Sequence, residues 1–427
     1  MSCNYKKPLC PGIIENGSLA KTCDNCLSDY LEGQRNEIGD MLNSGNSSWQ
    51  MMFNWSSKLI KFVEWLYKDQ FAINGRPSDF SFCITGSGAR REACPQSDLD
   101  AFIVVPKITS EQRDKWRKIN IAIRNRLDAI NNTKVNAIRP GKGFVFCTGG
   151  LNPMGVVTKK WKAMHDKDNL LKEDGLIFEN TNTASAFAGL VEEYYRSPSD
   201  SRRILWRHIV SGLQECDHAF GNPSLHKELK HEINFVLGKQ GDEFGPNALL
   251  TRKRSEGLKA IQAAVNDKNF RPPEPHSSIK KVKREIYRAP QFILKGVSWF
   301  YGVDEASSLA QLAQLEKEGK MHPTRSKHFR SAIAAGVKYR IASHVHTGAE
   351  FDKVLSAYVP PNKNQTGWLQ LTTNETSELE EAADSVRLIL SWGEEFLSSQ
   401  KQSLGLRKNI FAEPFTVQTA KPMVFKW

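Results

Sequence analysis

Residues 86–100 read GSGARREACPQSDLD, a glycine–serine turn followed by an acidic pair. The flanking stretches DFSFCIT (79–85) and DLDAFIVV (98–105) are rich in aromatic and β-branched residues, which predicts two short β-strands. Residues two apart on a strand point to the same face, so we expect the carboxylates of Asp98 and Asp100 on one side of the second strand. The sequence therefore predicts a strand, a tight turn and a second strand that carries paired carboxylates.

Each part of this segment suits the binding of a phosphate chain. The turn at Gly86 and Ser87 can present backbone N–H groups and a hydroxyl to a phosphate. The carboxylates of Asp98 and Asp100 are hard oxygen ligands that can hold Mg²⁺ or Mn²⁺. A pair of such ions stabilises both the attacking and the leaving oxygen of an in-line displacement. The residue types at this spacing thus indicate metal-dependent chemistry on a phosphorylated substrate.

Helical periodicity surrounds the strand pair. Apolar residues recur at three- and four-residue steps across 52–66 and 110–130, which predicts two amphipathic helices. Residues 49–185 are expected to form one α/β unit. Helix-forming segments dominate residues 186–400, which predicts a helical bundle there. Residues 401–427 lack clean periodicity and are expected to form an extended C-terminal arm. The predicted fold class is α+β, with a short mixed sheet and a helical bundle.

Composition and charge limit the possible functions. The chain has 427 residues and 59 Lys and Arg against 47 Asp and Glu, so its net charge is +12. This excess favours a polyanionic partner or a highly phosphorylated substrate, with plain solubility as the alternative. No apolar run approaches the roughly 20 residues of a membrane span, and the first residues lack the apolar core of a secretory signal. We expect a cytoplasmic protein without a membrane partner.

Four of the eight cysteines lie at the start of the chain, at Cys3, Cys10, Cys23 and Cys26. The closing C-x2-C pair has the spacing with which two thiolates share one tetrahedral ion. The segment contains turn residues and little that could form an apolar core without a metal. A structural Zn²⁺ knuckle is expected over residues 1–35, and unrelated thiols in a frayed terminus are the alternative.

The segment 86–100 resembles the nucleotidyltransferase superfamily that includes DNA polymerase β, kanamycin nucleotidyltransferase and the PII-protein uridylyltransferase. It is most similar to the uridylyltransferase-like branch, whose pattern is G-S-x-[AG]-R-x-E-x4-S-D-x-D. The positions that meet this pattern are Gly86, Ser87, Ala89, Arg90, Glu92, Ser97, Asp98 and Asp100. GFVFCTGG (143–150) and IKKVKREIYRAPQ (279–291) also resemble elements of that branch. The resemblance covers about residues 50–350 and implies a polymerase β-like domain that transfers a nucleoside monophosphate and releases pyrophosphate.

The resemblance also implies roles for individual residues. Asp98 and Asp100 would be catalytic and hold magnesium, and the residues that would bind the nucleotide are Gly86, Ser87, Arg90 and Ser97. For Arg90 a salt bridge with Glu92 that shapes the turn remains open as the alternative. A third carboxylate completes the metal site in this superfamily, and Glu179, at the end of the strand-like stretch GLIFE, is the candidate. Its rivals are Asp166, Asp168 and Asp174.

The acceptor of the nucleotidyl group is less constrained. The nearest branch implies a protein side chain, in a uridylylation or an adenylylation that uses a nucleoside triphosphate such as ATP. Transfer onto RNA, tRNA or a small molecule is an alternative, as is a catalytically inactive module that binds nucleic acid or protein. The resemblance places the helix that carries His344 beside the cleft, and a packed or solvated histidine is favoured there over a catalytic one.

Overall fold

The structure is a computed structural model, and it describes residues 24–97, 99–132, 146–147, 181–196, 210–240, 250–348, 350–358, 360, 365–400 and 409–414. The chain divides into two compact units. Unit 1 comprises residues 1–37 and 53–236, and unit 2 comprises residues 38–52 and 237–427. Among the described residues, no helix combines the length and the apolar character needed to cross a membrane.

The elements from the first helix to the end of unit 1 run in the following order. They are α1 (Asp24–Asn43), α2 (Ser48–Asn74), β1 (Ser81–Ile84), α3 (Gly86–Ala89), β2 (Leu99–Val104), α4 (Ser110–Asn132), β3 (Phe146–Cys147), β4 (Thr181–Asn182), α5 (Ala184–Arg196), β5 (Asp217–Gly221) and α6 (Pro223–Gly238). The strands form one sheet in the order β3-β2-β1-β5, and β4 also pairs with β2. Because β1 is antiparallel to β2 and β5 while β3 and β4 are parallel to β2, the sheet is mixed, as the sequence predicts.

An aromatic cluster holds the helices of unit 1 against this sheet. Phe82 of β1 stacks on Phe220 of β5 with 4.5 Å between the ring centroids, and Tyr67 of α2 lies 5.2 Å from Phe82. The hydroxyl of buried Tyr67 donates a hydrogen bond to Oδ1 of Asn120 on α4 at 2.7 Å. On the same strand as Asp100, Phe102 packs edge-on against Phe187 of α5. These contacts fix β1 and β2, the two strands that flank the glycine–serine turn.

Unit 2 contains helices and a small second sheet. Its remaining elements are α7 (Arg252–Asn266), β6 (Ile279–Lys281), a π-helix (Lys283–Arg288), α8 (Ala289–Tyr301), α9 (Ser308–Lys317), α10 (Pro323–Thr347), β7 (Lys353–Leu355), β8 (Leu369–Gln370) and α11 (Thr373–Gln400). Helices α7 and α8 meet at Gly257 and Gly296, where an added Cβ at either position would lie 2.5 Å from the other residue's carbonyl oxygen. Only glycine permits this approach of two backbones.

Three features differ from the expectations drawn from the sequence. Strand β5 lies in the segment predicted to be a helical bundle, and it pairs with β1. Residues 279–281, which also fall within the predicted helical bundle, form β6 because they pair with β7. Residues 24–35 of the predicted zinc knuckle belong to α1. In each case the sequence pattern was local, whereas the first two outcomes depend on a partner strand far along the chain.

Candidate nucleotide site

The glycine–serine turn is present at the end of β1. Thr85 is extended, with φ −135° and ψ −179°, and the single helical turn α3 begins at Gly86. The turn is closed by hydrogen bonds from Ala89 N to Thr85 O at 3.3 Å and from Arg90 N to Gly86 O at 3.2 Å. Gly86 has a φ of +60°, a left-handed conformation that residues with a side chain rarely adopt. The first N–H groups of such a turn have no partner within it and can donate to an anion.

Asp100 faces this turn from the neighbouring strand. The N–H of Thr85 donates to the carbonyl of Asp100 at 2.9 Å, which fixes the two segments in register. A Cβ added at Gly86 would lie 3.3 Å from Oδ2 of Asp100. The missing side chain of Gly86 thus leaves space beside the carboxylate. The structure brings together Gly86 and Asp100, two of the residues that the sequence singles out.

Ser87 and Ser97 have different surroundings. No described residue forms a hydrogen bond with the Ser87 hydroxyl, which is half-buried, while its carbonyl accepts from the N–H of Glu92 at 2.8 Å. Ser97 is buried, and its hydroxyl accepts a hydrogen bond from Cys94 N at 3.1 Å. The reciprocal bond from Ser97 N to Cys94 O measures 2.9 Å. Ser97 therefore closes the loop before β2. The Ser87 hydroxyl lies on the turn, where it could donate a hydrogen bond to a ligand.

Arg90 lies between two buried carboxylates. Its Nε is 3.0 Å from Oε2 of Glu92, and its Nη1 is 3.1 Å from Oε2 of Glu215. The side chains of Arg90, Glu92 and Glu215 are 10%, 0% and 6% exposed. The ion pair with Glu92, one of the two alternatives for Arg90, is confirmed. Glu215 escaped the sequence analysis because nothing in its neighbourhood marks it, and the contact exists only because β5 folds back beside β1.

A second ion pair joins the same turn to β5. Nη2 of Arg91 lies 3.1 Å from Oδ2 of Asp217, the first residue of β5. Arg91 has a φ of +60°, which costs free energy for a residue with a side chain. The strained residue is thus held by a charged partner, and the two successive arginines Arg90 and Arg91 attach the turn to β5.

Cys83 of β1 and Cys216, the residue before β5, are two buried cysteines that interact with each other and with side chains of α6. Burial raises the pKa of the Cys83 thiol well above its ordinary value. The pKa of Cys216 is held well below the ordinary value by the hydrogen bond with Cys83 and by the charge of Lys230 and contact with His226. Cys83 and Cys216 are 0% and 1% exposed, so neither thiol reaches a substrate in solution. The two cysteines therefore belong to the interior of unit 1.

Several candidates fall outside the described residues. They are Asp98, Glu179, Asp166, Asp168 and Asp174 of the expected metal site, and Cys3, Cys10 and Cys23 of the expected zinc knuckle. Cys26 lies in α1. Within the part of the chain that the structure describes, no group of three or more His, Cys, Asp or Glu residues could hold a metal ion. The zinc site and the complete magnesium site thus stay predictions.

The hard oxygen donors expected for magnesium are represented by Asp100. Its carboxylate lies next to the space that a side chain at Gly86 would fill. A cation bound to the carboxylate could therefore lie beside a phosphate bound to the turn. In unit 2, His344 is fully buried, and its Nε2–H donates to Oδ1 of Asp352 at 3.1 Å. This contact agrees with a packed histidine there, the favoured alternative.

Comparison with known families agrees with the geometry of unit 1. Residues 40–134 match the family model described as "Putative nucleotidyltransferase DUF294". The matched range contains α2, β1, the glycine–serine turn, β2 and α4. The resemblance to the nucleotidyltransferase superfamily is thereby confirmed for this segment, and the uridylyltransferase-like branch stays a prediction. No curated protein matches the chain.

Proposed function

We propose that this chain transfers a nucleoside monophosphate from a nucleoside triphosphate to an acceptor, with Asp98 and Asp100 as the residues that hold Mg²⁺ or Mn²⁺. The observation that carries the proposal is the placement of the Asp100 carboxylate against the Gly86 turn, where a Cβ added at Gly86 would lie only 3.3 Å from Oδ2 of Asp100. A carboxylate and a bare backbone turn at this distance suit a metal ion and a phosphate that bind side by side.

The residues of the chain would divide the work as follows. The N–H groups of the turn and the Ser87 hydroxyl would bind the β- and γ-phosphates. Asp98 and Asp100 would orient the α-phosphate through the bound cations, which neutralise charge on the attacking and leaving oxygens. The acceptor's nucleophile would form a bond to the α-phosphorus while the bond to pyrophosphate breaks. Glu179, which precedes β4 by two residues, is proposed to take the proton of the nucleophile.

We favour a protein side chain as the acceptor, because the sequence is most similar to the uridylyltransferase-like branch. RNA is the second candidate, since the net charge of +12 and the proposed zinc knuckle suit a polyanion. A small molecule is the third.

The charged clamp that Arg90, Glu92 and Glu215 form at the turn also supports a functional site there. Buried ion pairs are costly to form and add little stability by themselves, so we infer that this clamp serves to fix the geometry of the turn.

The test is incubation of the purified protein with each α-³²P-labelled nucleoside triphosphate, Mg²⁺ or Mn²⁺, and cell lysate. We expect label on a protein band, and label on RNA would select the second acceptor. Asp100→Asn should lower transfer at least about 100-fold, because removal of one metal ligand withdraws charge stabilisation worth several kcal/mol. Asp40→Asn, an exposed acid changed in the same way, is the control. Transfer by Asp100→Asn at the wild-type rate, or no label with any nucleotide, would refute the proposal.

A further inference from the structure

A six-residue π-helix, Lys283–Arg288, joins β6 to α8 in unit 2. π-Helices are rare and frequently occur at functional sites. This one lies unusually close to α10, since a Cβ added at Gly336 would lie 2.9 Å from Cβ of Tyr287. The close approach requires glycine on α10 and holds the π-helix in place. The sequence of the π-helix, KREIYR, belongs to the basic stretch that resembles the uridylyltransferase-like branch, and the proposed transfer reaction assigns it no role.

The π-helix carries two arginines on either side of Tyr287 in the sequence, and Arg340 of α10 lies over the ring of Tyr287. Arg340 of α10 is 2% exposed and lies over the ring of Tyr287, with Cζ 5.1 Å from the ring centroid. Arg284 and Arg288, four residues apart, are exposed on the π-helix. Partial burial and the positive charges of Arg340 and Arg284 lower the pKa of Arg288. Tyr287 and Asp352 act in the opposite direction on this pKa, but the lowering effects outweigh them.

The two carboxylates nearby, those of Glu350 and Asp352, are paired with Lys283 and Arg340. Nε of Arg340 donates to Oδ1 of Asp352 at 2.8 Å. Lys283 donates to Glu350 at 2.7 Å, and its Nζ is 3.7 Å from Oδ2 of Asp352. These two carboxylates are thus engaged by Lys283 and Arg340. Burial lowers the pKa of His344, so this further neighbour of Asp352 is neutral at pH 7.

Arg284 and Arg288 add two positive charges to this balanced set. Within the described part of the chain, neither forms a hydrogen bond or an ion pair with a carboxylate. The next ion pair along the chain, Lys281 with Glu285, is neutral as a pair. An excess of two positive charges matches the charge of one phosphate dianion, and the planar fork of arginine fits phosphate oxygens.

We propose that Arg284 and Arg288 of the π-helix, with Arg340 behind them, form a binding site for a phosphate dianion, such as the terminal phosphate of a polyphosphate chain or of a phosphomonoester. Arg284 and Arg288 donate hydrogen bonds to the phosphate oxygens. Arg340, paired with Asp352, packs on Tyr287 and supports the π-helix from the interior. The site stands on unit 2 alone and does not depend on the transfer reaction proposed for unit 1.

The test is calorimetry of the full chain with sodium tripolyphosphate in a low-salt buffer with a chelator, so that no divalent cation contributes. We expect saturable binding by the wild-type protein. The Arg284→Gln, Arg288→Gln double variant should bind at least about tenfold more weakly, because each charge-assisted hydrogen bond contributes roughly that factor or more. Arg288→Lys, which keeps the charge and loses the fork, should lie between the two. Orthophosphate and glycerol phosphate as competitors distinguish a polyphosphate site from a phosphomonoester site.

Two controls make the result decisive. Arg387→Gln removes a half-buried arginine of unit 2 that lies on α11, paired with Asp384, and should leave binding unchanged. Gly86→Ala tests whether the measured binding belongs to the turn in unit 1. Wild-type affinity in the double variant, an equal loss in Arg387→Gln, or no saturable binding by the wild-type protein would overturn the proposal. Arg284 and Arg288 are exposed, so we expect the variants to melt within a few degrees of wild type.

Discussion

The missing side chain of Gly86 and the carboxylate of Asp100 share one small space, since a Cβ at Gly86 would lie 3.3 Å from Oδ2 of Asp100. The two residues are joined through Thr85, whose N–H donates to the carbonyl of Asp100. A change at either position therefore alters the same volume, and the turn and the acid act as one unit. The left-handed φ of +60° at Gly86 adds a backbone requirement to this spatial one.

Gly86→Ala should abolish nucleotide binding and transfer. The added methyl group enters the space beside Asp100, and the left-handed backbone costs roughly 1–2 kcal/mol with a side chain. Calorimetry with a non-hydrolysable nucleoside triphosphate and Mg²⁺ measures the binding. Gly75→Ala is the matched control, because Gly75 has a φ of +70° and its added Cβ would meet only the end of the flexible Lys115 side chain, at 3.4 Å. If both variants bind the nucleotide like wild type, the phosphate site is elsewhere.

The clamp of Arg90, Glu92 and Glu215 predicts which variants of the protein are the least stable. Arg90→Met leaves the carboxylates of Glu92 and Glu215 buried without their shared cation, which should lower the free energy of unfolding by about 3–5 kcal/mol. Glu215→Gln leaves Arg90 paired with Glu92, so the loss should be smaller, about 1–3 kcal/mol. Urea unfolding monitored by circular dichroism measures both.

Glu228→Gln, which changes an exposed acid of α6, should shift the free energy by no more than about 0.5 kcal/mol. A role of Arg90 as a free ligand of the nucleotide predicts the opposite pattern. In that case Arg90→Met would leave the free energy of unfolding unchanged and weaken nucleotide binding.

The sequence predicts the elements around the turn well because their signals are local. Helical spacing across 52–66 gives α2, and the stretch 79–85 contains β1. The apolar residues at this spacing are buried, namely Met52, Trp55, Leu59, Phe62, Val63 and Leu66. In strand β5 Phe220 is the one residue that is buried, so the strand lacks the alternation of a half-buried strand. Its strand conformation depends on pairing with β1. Glu215 could not be found for the same reason, since only this pairing brings it to Arg90.

The amino-terminal cysteines predict bound zinc. Metal analysis of protein purified without a chelator should find about one zinc ion per chain, because four thiolates satisfy one tetrahedral ion. The Cys23→Ser, Cys26→Ser double variant should lose it. Cys83→Ala, which removes a buried cysteine of β1, should keep it. Zinc-free protein in which Cys3, Cys10, Cys23 and Cys26 all react freely with a thiol reagent would contradict the knuckle.

The buried contact between His344 and Asp352 predicts that unit 2 loses stability as the pH falls. Burial lowers the pKa of His344 below its ordinary value of 6.5, so below that pH the unfolded chain takes up a proton that the folded chain does not. The free energy of unfolding should therefore decrease as the pH falls through 6.5. For Asp352, burial acts to raise the pKa, but Arg340 and the hydrogen bond from His344 outweigh it and hold the pKa well below 3.8.

The stabilisation by Asp352 is consequently complete above pH 3.8 and is lost only in stronger acid. Between about pH 7.5 and about pH 5.5 His344 responds and Asp352 does not, and buried His328, whose pKa burial also lowers, adds to the loss of stability. Urea unfolding of His344→Asn should show a smaller decrease across this interval than wild type. His346→Asn, an exposed histidine on the same helix, should follow the wild-type curve. A wild-type slope in His344→Asn would mean that other groups cause the acid sensitivity.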